Sequence, residues 1–151
     1  MENEVLLQVK GLSFTYGEEP VLKDVNLIIR RGERIAVMGS NGAGKSTFFL
    51  NLNGVLRPDS GDILLCGSKI GKKELNLLRK KVGFVFQDAD SQIIAANVRA
   101  EISFGPMNLG LERSEVIHRV DAAVSYLGLE ELQQRAPHYL SGGEKKQVSI
   151  S

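Results

Sequence analysis

Apolar and polar positions alternate in short runs through the first half of the chain and settle into a longer helical repeat in the second. Residues 5–9 (VLLQV) and 12–16 (LSFTY) are rich in β-formers, with Gly11 between them, and residues 21–30 (VLKDVNLIIR) predict a further strand. RRGER around Gly32 reads as a tight turn. Residues 34–38 (RIAVM) and 82–86 (VGFVF) are short apolar runs, the pattern of strands buried on both faces of a sheet. Residues 62–66 (DILLC) predict another strand after the RPDSG turn signal at 57–61.

Helical patterns are interleaved with these. Residues 45–53 follow a glycine-rich loop and read as a helix. Residues 72–81 (KKELNLLRKK) predict a short helix with a polar face, and 97–109 a helix interrupted by Gly105-Pro106. The clearest repeat spans 114–127, where Val116, Val120, Ala123, Val124 and Leu127 share one face. Gly128 follows in the position of a C′ glycine. This order predicts an α/β fold with a β-rich N-terminal part.

Composition narrows the picture modestly. The 151 residues suit one domain with its own core. Nineteen basic residues oppose eighteen acidic ones for a net charge of +1, which gives no electrostatic case for nucleic acid as a partner. Cys66 is the only cysteine, so no internal disulfide forms, and two histidines with one cysteine make no structural metal cluster. Cys66 itself is expected in a buried strand, His118 on a helix surface and His138 in a loop. The N-terminus, MENEVLLQVKGL, lacks the pattern of a signal peptide, and no apolar run reaches membrane-spanning length. Any spanning segments would come from another chain.

GSNGAGKST, Gly39 to Thr47, satisfies the G-x-x-x-x-G-K-[ST] phosphate-loop pattern between an apolar run and a helix. Gly39, Gly42 and Gly44, with Ser40, Asn41 and Ala43, let successive backbone N–H groups turn inward on a phosphate. The helix that follows adds the positive end of its dipole. Lys45 is expected to reach the β- and γ-phosphates, Ser46 to offer a hydroxyl to Mg²⁺ and Thr47 to meet the α-phosphate.

A phosphate loop alone does not choose among nucleotide-binding families. LSGGE at Leu140–Glu144 adds a second motif about a hundred residues downstream, and together the two resemble ATP-binding cassette (ABC) proteins. Tyr16 in FTYG resembles the family's adenine-stacking aromatic, and a plain strand aromatic is the other reading. Gln87 in VGFVFQD resembles the Q-loop glutamine, which bonds the Mg²⁺ and attacking-water region. FVFQDADSQI followed by EISFGPMNLGL is similar to the ATPase subunits of energy-coupling-factor systems for cobalt, nickel or vitamins, although Ala89 stands where those usually have proline. Gln92 belongs to that pattern or is an ordinary loop glutamine.

The resemblance implies a P-loop NTPase core with an N-terminal antiparallel β subdomain and a helical subdomain. Residues 1–35 would be mainly the β subdomain, 36–87 the core, 88–140 the Q-loop and helical subdomain, and 141–151 the start of the signature helix. Ser141 is a good N-cap residue, and Gly142 and Gly143 leave first-turn N–H groups uncovered, which makes a second anion site. In the family that site closes on the ATP of a second ATP-binding subunit, in a homo- or heterodimer, with an integral membrane subunit docking near the Q-loop and residues 97–128. The implied place is peripheral, on the cytoplasmic face of the membrane. The implied ligands are ATP in cis at Tyr16 and Gly39–Thr47, ATP in trans at Ser141–Gly143, and Mg²⁺ at Ser46 and Gln87.

Hydrolysis also needs an acid near Mg²⁺ and a residue that orients water. In the family these follow the signature helix on the Walker B strand, with a switch histidine beyond; Glu144 belongs to the signature and is not that acid. The chain is therefore expected to be truncated before that strand, marginally stable alone and deficient in hydrolysis. The alternatives are an ATPase of another ABC importer class, a module that only binds nucleotide, and a soluble ABC protein outside transport. The basic clusters Arg79-Lys80-Lys81 and Lys145-Lys146 read as solvated faces.

Overall fold

The computed structural model describes residues 4–89 and 92–151, so Asp90 and Ser91 of the DADSQ stretch lie outside the described residues. The chain forms two compact units, Met1–Gly83 and Phe84–Ser151.

In the first unit β1 (Val5–Tyr16) pairs antiparallel with β2 (Glu19–Arg30) on one side and with β3 (Ser60–Leu65) on the other. A short β4 (Ser68–Lys69) pairs with β3, giving the order β2-β1-β3-β4. The helices are α1 (Lys45–Leu52) and α2 (Leu75–Lys81). Alternate residues Leu7, Val9, Leu12 and Phe14 of β1 turn inward and pack with Leu22, Phe48, Leu52, Ile63 and Leu78. The core of this unit is thus one sheet face closed by α1 and α2.

The two predicted strands flanking Gly11 are one strand with a bulge. Gly11 has φ +60°, its N–H donates to Asn26 Oδ1 at 2.8 Å, and the register shifts between Val9 and Leu12. Gly61, at φ +87°, passes so close to the Gly11 carbonyl that a Cβ there would overlap it. Helix α2 is shorter than its polar pattern predicts, starting at Leu75.

Two expectations fail together. Residues 34–38 and 82–86 are not strands. Neither has a sheet partner among the described residues, and Ile35, Met38, Val85 and Phe86 are exposed. Apolar character marks a segment fit for a buried strand, but a ladder needs a second backbone beside it. Ile35 and Val37 line an apolar hollow of about 170 Å³ with Leu27, Ile29, Phe48 and Leu52.

Cys66 is a further correction. It is exposed, in the two-residue turn between Leu65 and Ser68, with φ +48° followed by Gly67 at +79°. Positive φ at both central positions is the hairpin turn whose twist matches the flanking strands, and it overrides the β-propensity of DILLC.

In the second unit α3 (Val98–Asn108), α4 (Arg113–Leu127) and α5 (Gly142–Ser149) enclose Val98, Ile102, Val116, Val120, Val124, Leu129, Leu140 and Val148. The face read from the sequence is the buried face of α4, and Gly128 closes the helix at φ +66°. Pro106 does not interrupt α3. It sits in the last turn, where the missing N–H removes one bond near an end that frays in any case. Asn97 caps α3 by accepting from Ala100 N at 2.8 Å. Arg99 ties α3 to Gln133 Oε1 (2.6 Å) and to Asp121 Oδ1 on α4 (2.7 Å).

A residue that tolerates positive φ relieves the Cys66 turn. Cys66→Asn should raise stability to urea by about 0.5–1 kcal/mol and Cys66→Val should lower it, because a β-branched residue resists that conformation.

Candidate functional site

The phosphate loop forms as its glycines require. Gly42 and Gly44 have φ +81° and +82°, and Gly44 is the left-handed residue from which α1 starts. A Cβ on Gly44 would stand 2.9 Å from Val21 Cγ1 and 3.1 Å from the Val21 carbonyl oxygen. The start of α1 is therefore wedged against β2 at a place only glycine fits. Lys45 folds back across the loop and donates to the carbonyls of Gly39 (2.7 Å) and Ser40 (2.6 Å). Its ammonium thus lies over the loop that the sequence assigns to phosphate. Ser40, Asn41 and Ser46 are exposed, as is Ala43, whose N–H closes a turn on Ser40 O at 3.2 Å.

Thr47 is more enclosed than Ser46. It is only 8% exposed, and its carbonyl accepts from Asn51 Nδ2 at 2.8 Å. Its side chain is packed into α1's buried face, which leaves the first-turn hydroxyl of Ser46 as the accessible one.

Tyr16 ends β1, half exposed, with its ring edge-on to Phe14 at 4.9 Å. Phe14 pairs with Leu22, and Leu22 touches the Gly44 position. The hairpin end that carries Tyr16 and the start of α1 therefore meet through Leu22. The exposed ring face is the kind of surface on which a base stacks.

In the second unit Gln87 is exposed in the loop after 82–86. Ser141 caps α5 in a reciprocal box: its hydroxyl accepts from Glu144 N at 3.3 Å, and Glu144 Oε2 accepts from Ser141 N at 2.6 Å. This assigns Glu144 a structural task, one the S-x-x-E spacing could have announced. The Ser141 backbone N–H, then its hydroxyl contact, hold the Glu144 carboxyl below its ordinary value. The N–H groups of Gly142 and Gly143 are the remaining ones that helix geometry leaves unbonded, and a Cβ at either glycine would meet nothing within 4 Å. An anion can approach there.

The basic cluster at 145–146 is not simply solvated. Lys146 Nζ donates to Phe86 O (3.3 Å) and Gln87 O (2.7 Å). Gln92 is likewise engaged, accepting from Phe86 N and donating to Ser149 O. His118 is exposed on α4 as expected, and His138 stacks at 4.2 Å on Tyr139 in a short 3₁₀ turn.

The ABC transporter family matches residues 22–151, most of the chain and both motifs. The chain belongs to that family. Among relatives of this ABC chain, a putative ABC transporter ATP-binding protein of Methanosarcina acetivorans is 49% identical over 148 residues, covering 97% of this chain and 45% of the relative. The energy-coupling factor transporter ATP-binding protein EcfA of Methanoculleus marisnigri is 50% identical over 147 residues, covering 97% and 53%. The chain spans about half the length of the curated relatives it matches. Among solved structures, cbiO1 of Clostridium perfringens, described as part of the ABC transporter complex cbiONQ, superposes with a TM-score of 0.84 at 41% identity, over 99% of this chain and 60% of that one. A dimeric post-hydrolysis ATP-binding cassette bound to ADP and Pi superposes with a TM-score of 0.81 at 29% identity, over 96% and 67%.

The capping box predicts a pH response. Because the folded Glu144 pKa is depressed, its contribution is fully present above the unfolded value of 4.5 and is lost as pH falls through the folded value. In an NMR titration the Ser141 amide shift should follow a midpoint below 4.5. Ser141→Ala should lower stability by about 1 kcal/mol.

Proposed function

We propose that the chain is the nucleotide-binding part of an ATPase subunit of an energy-coupling-factor-type importer, one that energises uptake of a cobalt or nickel ion or a vitamin. The observation that carries this reading is the pair of phosphate-directed helix starts on one chain. One is α1 behind Gly44 and Lys45, and the other is α5 behind Ser141 and two open glycines. The names of EcfA and of cbiO1 among the relatives support the transporter class.

In this reading the phosphates of ATP lie in the loop Gly39–Thr47. Their arrival draws Lys45 from the Gly39 and Ser40 carbonyls, since an anionic oxygen is the stronger acceptor. Tyr16 stacks on adenine. Mg²⁺ keeps several waters and needs few protein ligands, so the exposed Ser46 hydroxyl suits it; the family resemblance adds Gln87 as a second donor, and the ion would screen phosphate charge. Ser141, Gly142 and Gly143 face the nucleotide of a second subunit in a head-to-tail dimer.

No helix among the described residues is long and apolar enough to cross a membrane. A separate integral membrane subunit would carry the substrate, and this chain would sit peripherally on its cytoplasmic side.

A second reading applies to the chain as it stands: it binds nucleotide without hydrolysing it. The acid beside the signature, Glu144, is committed to the α5 cap and is not poised to orient water.

Calorimetry separates these possibilities. MgATP binding should fall at least about tenfold in Lys45→Ala, the loss of one charge-assisted contact to phosphate. Tyr16→Ala should weaken ATP about five- to tenfold and leave tripolyphosphate unchanged, the worth of one aromatic stack. Steady phosphate release by this chain, abolished in Lys45→Ala, would overturn the binding-only reading. Equal affinity of Lys45→Ala and the parent for MgATP would overturn both.

A further inference from the structure

Phe86 ends, and Gln87 follows, the 82–86 segment, which has no ladder partner among the described residues. Side chains provide what a neighbouring strand would. Lys146 Nζ donates to Phe86 O at 3.3 Å and to Gln87 O at 2.7 Å. Gln92 Oε1 accepts from Phe86 N at 3.0 Å, and its Nε2 donates to Ser149 O at 2.8 Å. Lys146 and Ser149 are three residues apart on α5 and so share a face. Both ties therefore link the same side of α5 to Phe86, and Lys146 extends the link to the Gln87 carbonyl. The lysine bonds are charge-assisted, roughly twice the strength of neutral ones. The Gln92 amide does double duty, since Ser149 O is among the last carbonyls of α5, which have no partner within the helix.

We propose that Lys146 and Gln92 are positioning residues: together they latch the Gln87 backbone to the signature helix, so that a displacement of α5 carries Gln87 with it. The proposal rests on the reading above, in which Ser141 at the front of α5 meets the partner's nucleotide while Gln87 serves the chain's own. On that reading the latch is a mechanical link by which one nucleotide is felt at the other. Lys146, one and a half turns along α5 from the cap, stays off phosphate because it is spent on carbonyls.

Amide exchange followed by NMR on this chain without nucleotide tests the latch independently of ATP binding. Lys146→Met and Gln92→Leu should each speed exchange of the Phe86 amide, whose N–H the latch holds, by about tenfold or more, while the buried turns of α4 at Val120 and Val124 keep their rates, because only a local opening has been eased. Lys146→Arg retains a donor and should restore exchange at Phe86 to near the parent rate. Unchanged exchange in Lys146→Met, or failure of Lys146→Arg to restore it, would overturn the proposal. So would an equal rise throughout α4, the mark of general loosening. Failure here leaves MgATP binding and its dependence on Lys45 untouched, so the two readings fall separately.

Discussion

The approach of Gly44 to Val21 and Leu22 fixes where α1 begins, and the geometry of the phosphate loop follows from it. With a side chain at that position the helix start would have to move off β2. Lys45 and Ser46 would move with it, and so would Phe48 and Leu52, which close the core beneath the sheet. A close-packed interior leaves no slack to absorb such a shift. Packing of the sheet and chemistry of the loop therefore share one constraint, and Leu22 stands at its centre: it touches the Gly44 position on one side and pairs with Phe14, the neighbour of the Tyr16 ring, on the other.

The helical unit is organised by its ends more than by its spans. Asn97, Gly128 and Ser141 each terminate a helix with a different device: a side-chain cap, a left-handed glycine and a reciprocal box. The valine face of α4 gives the unit its interior. Glu101 holds the loop that leads into α3, accepting from Ile94 N at 3.0 Å and Ala95 N at 2.8 Å. The backbone N–H groups of this loop are thereby satisfied by a side chain of the helix it leads into.

Much of this was legible in the sequence. Period and cap together located α4, its buried face and Gly128. Glycine spacing located the phosphate loop and the start of α1, and Ser141 located the start of α5. What escaped has common physical causes. Residues 34–38 and 82–86 have strand composition, but composition carries no information on whether a partner lies alongside. Gly11 reads equally as a break or as a bulge until the register is known. Cys66 has strand propensity and a turn's place, and only the pairing of Leu65 with Ser68 decides between them. Lys146 was indistinguishable from Lys145 because helix phase, invisible in a pair of lysines, determines which one reaches the Gln87 carbonyl.

Lys45 shows how folding can anticipate binding. A free lysine side chain loses up to about 2 kcal/mol of rotamer entropy when held in one arrangement. Here the carbonyls of Gly39 and Ser40 already hold the ammonium over the loop. On the proposed reading, much of that ordering cost has been met in advance, and a phosphate oxygen would exchange places with a carbonyl instead of recruiting a mobile chain from solvent. The loop's own acceptors would thus serve as a template for a charge they could give up.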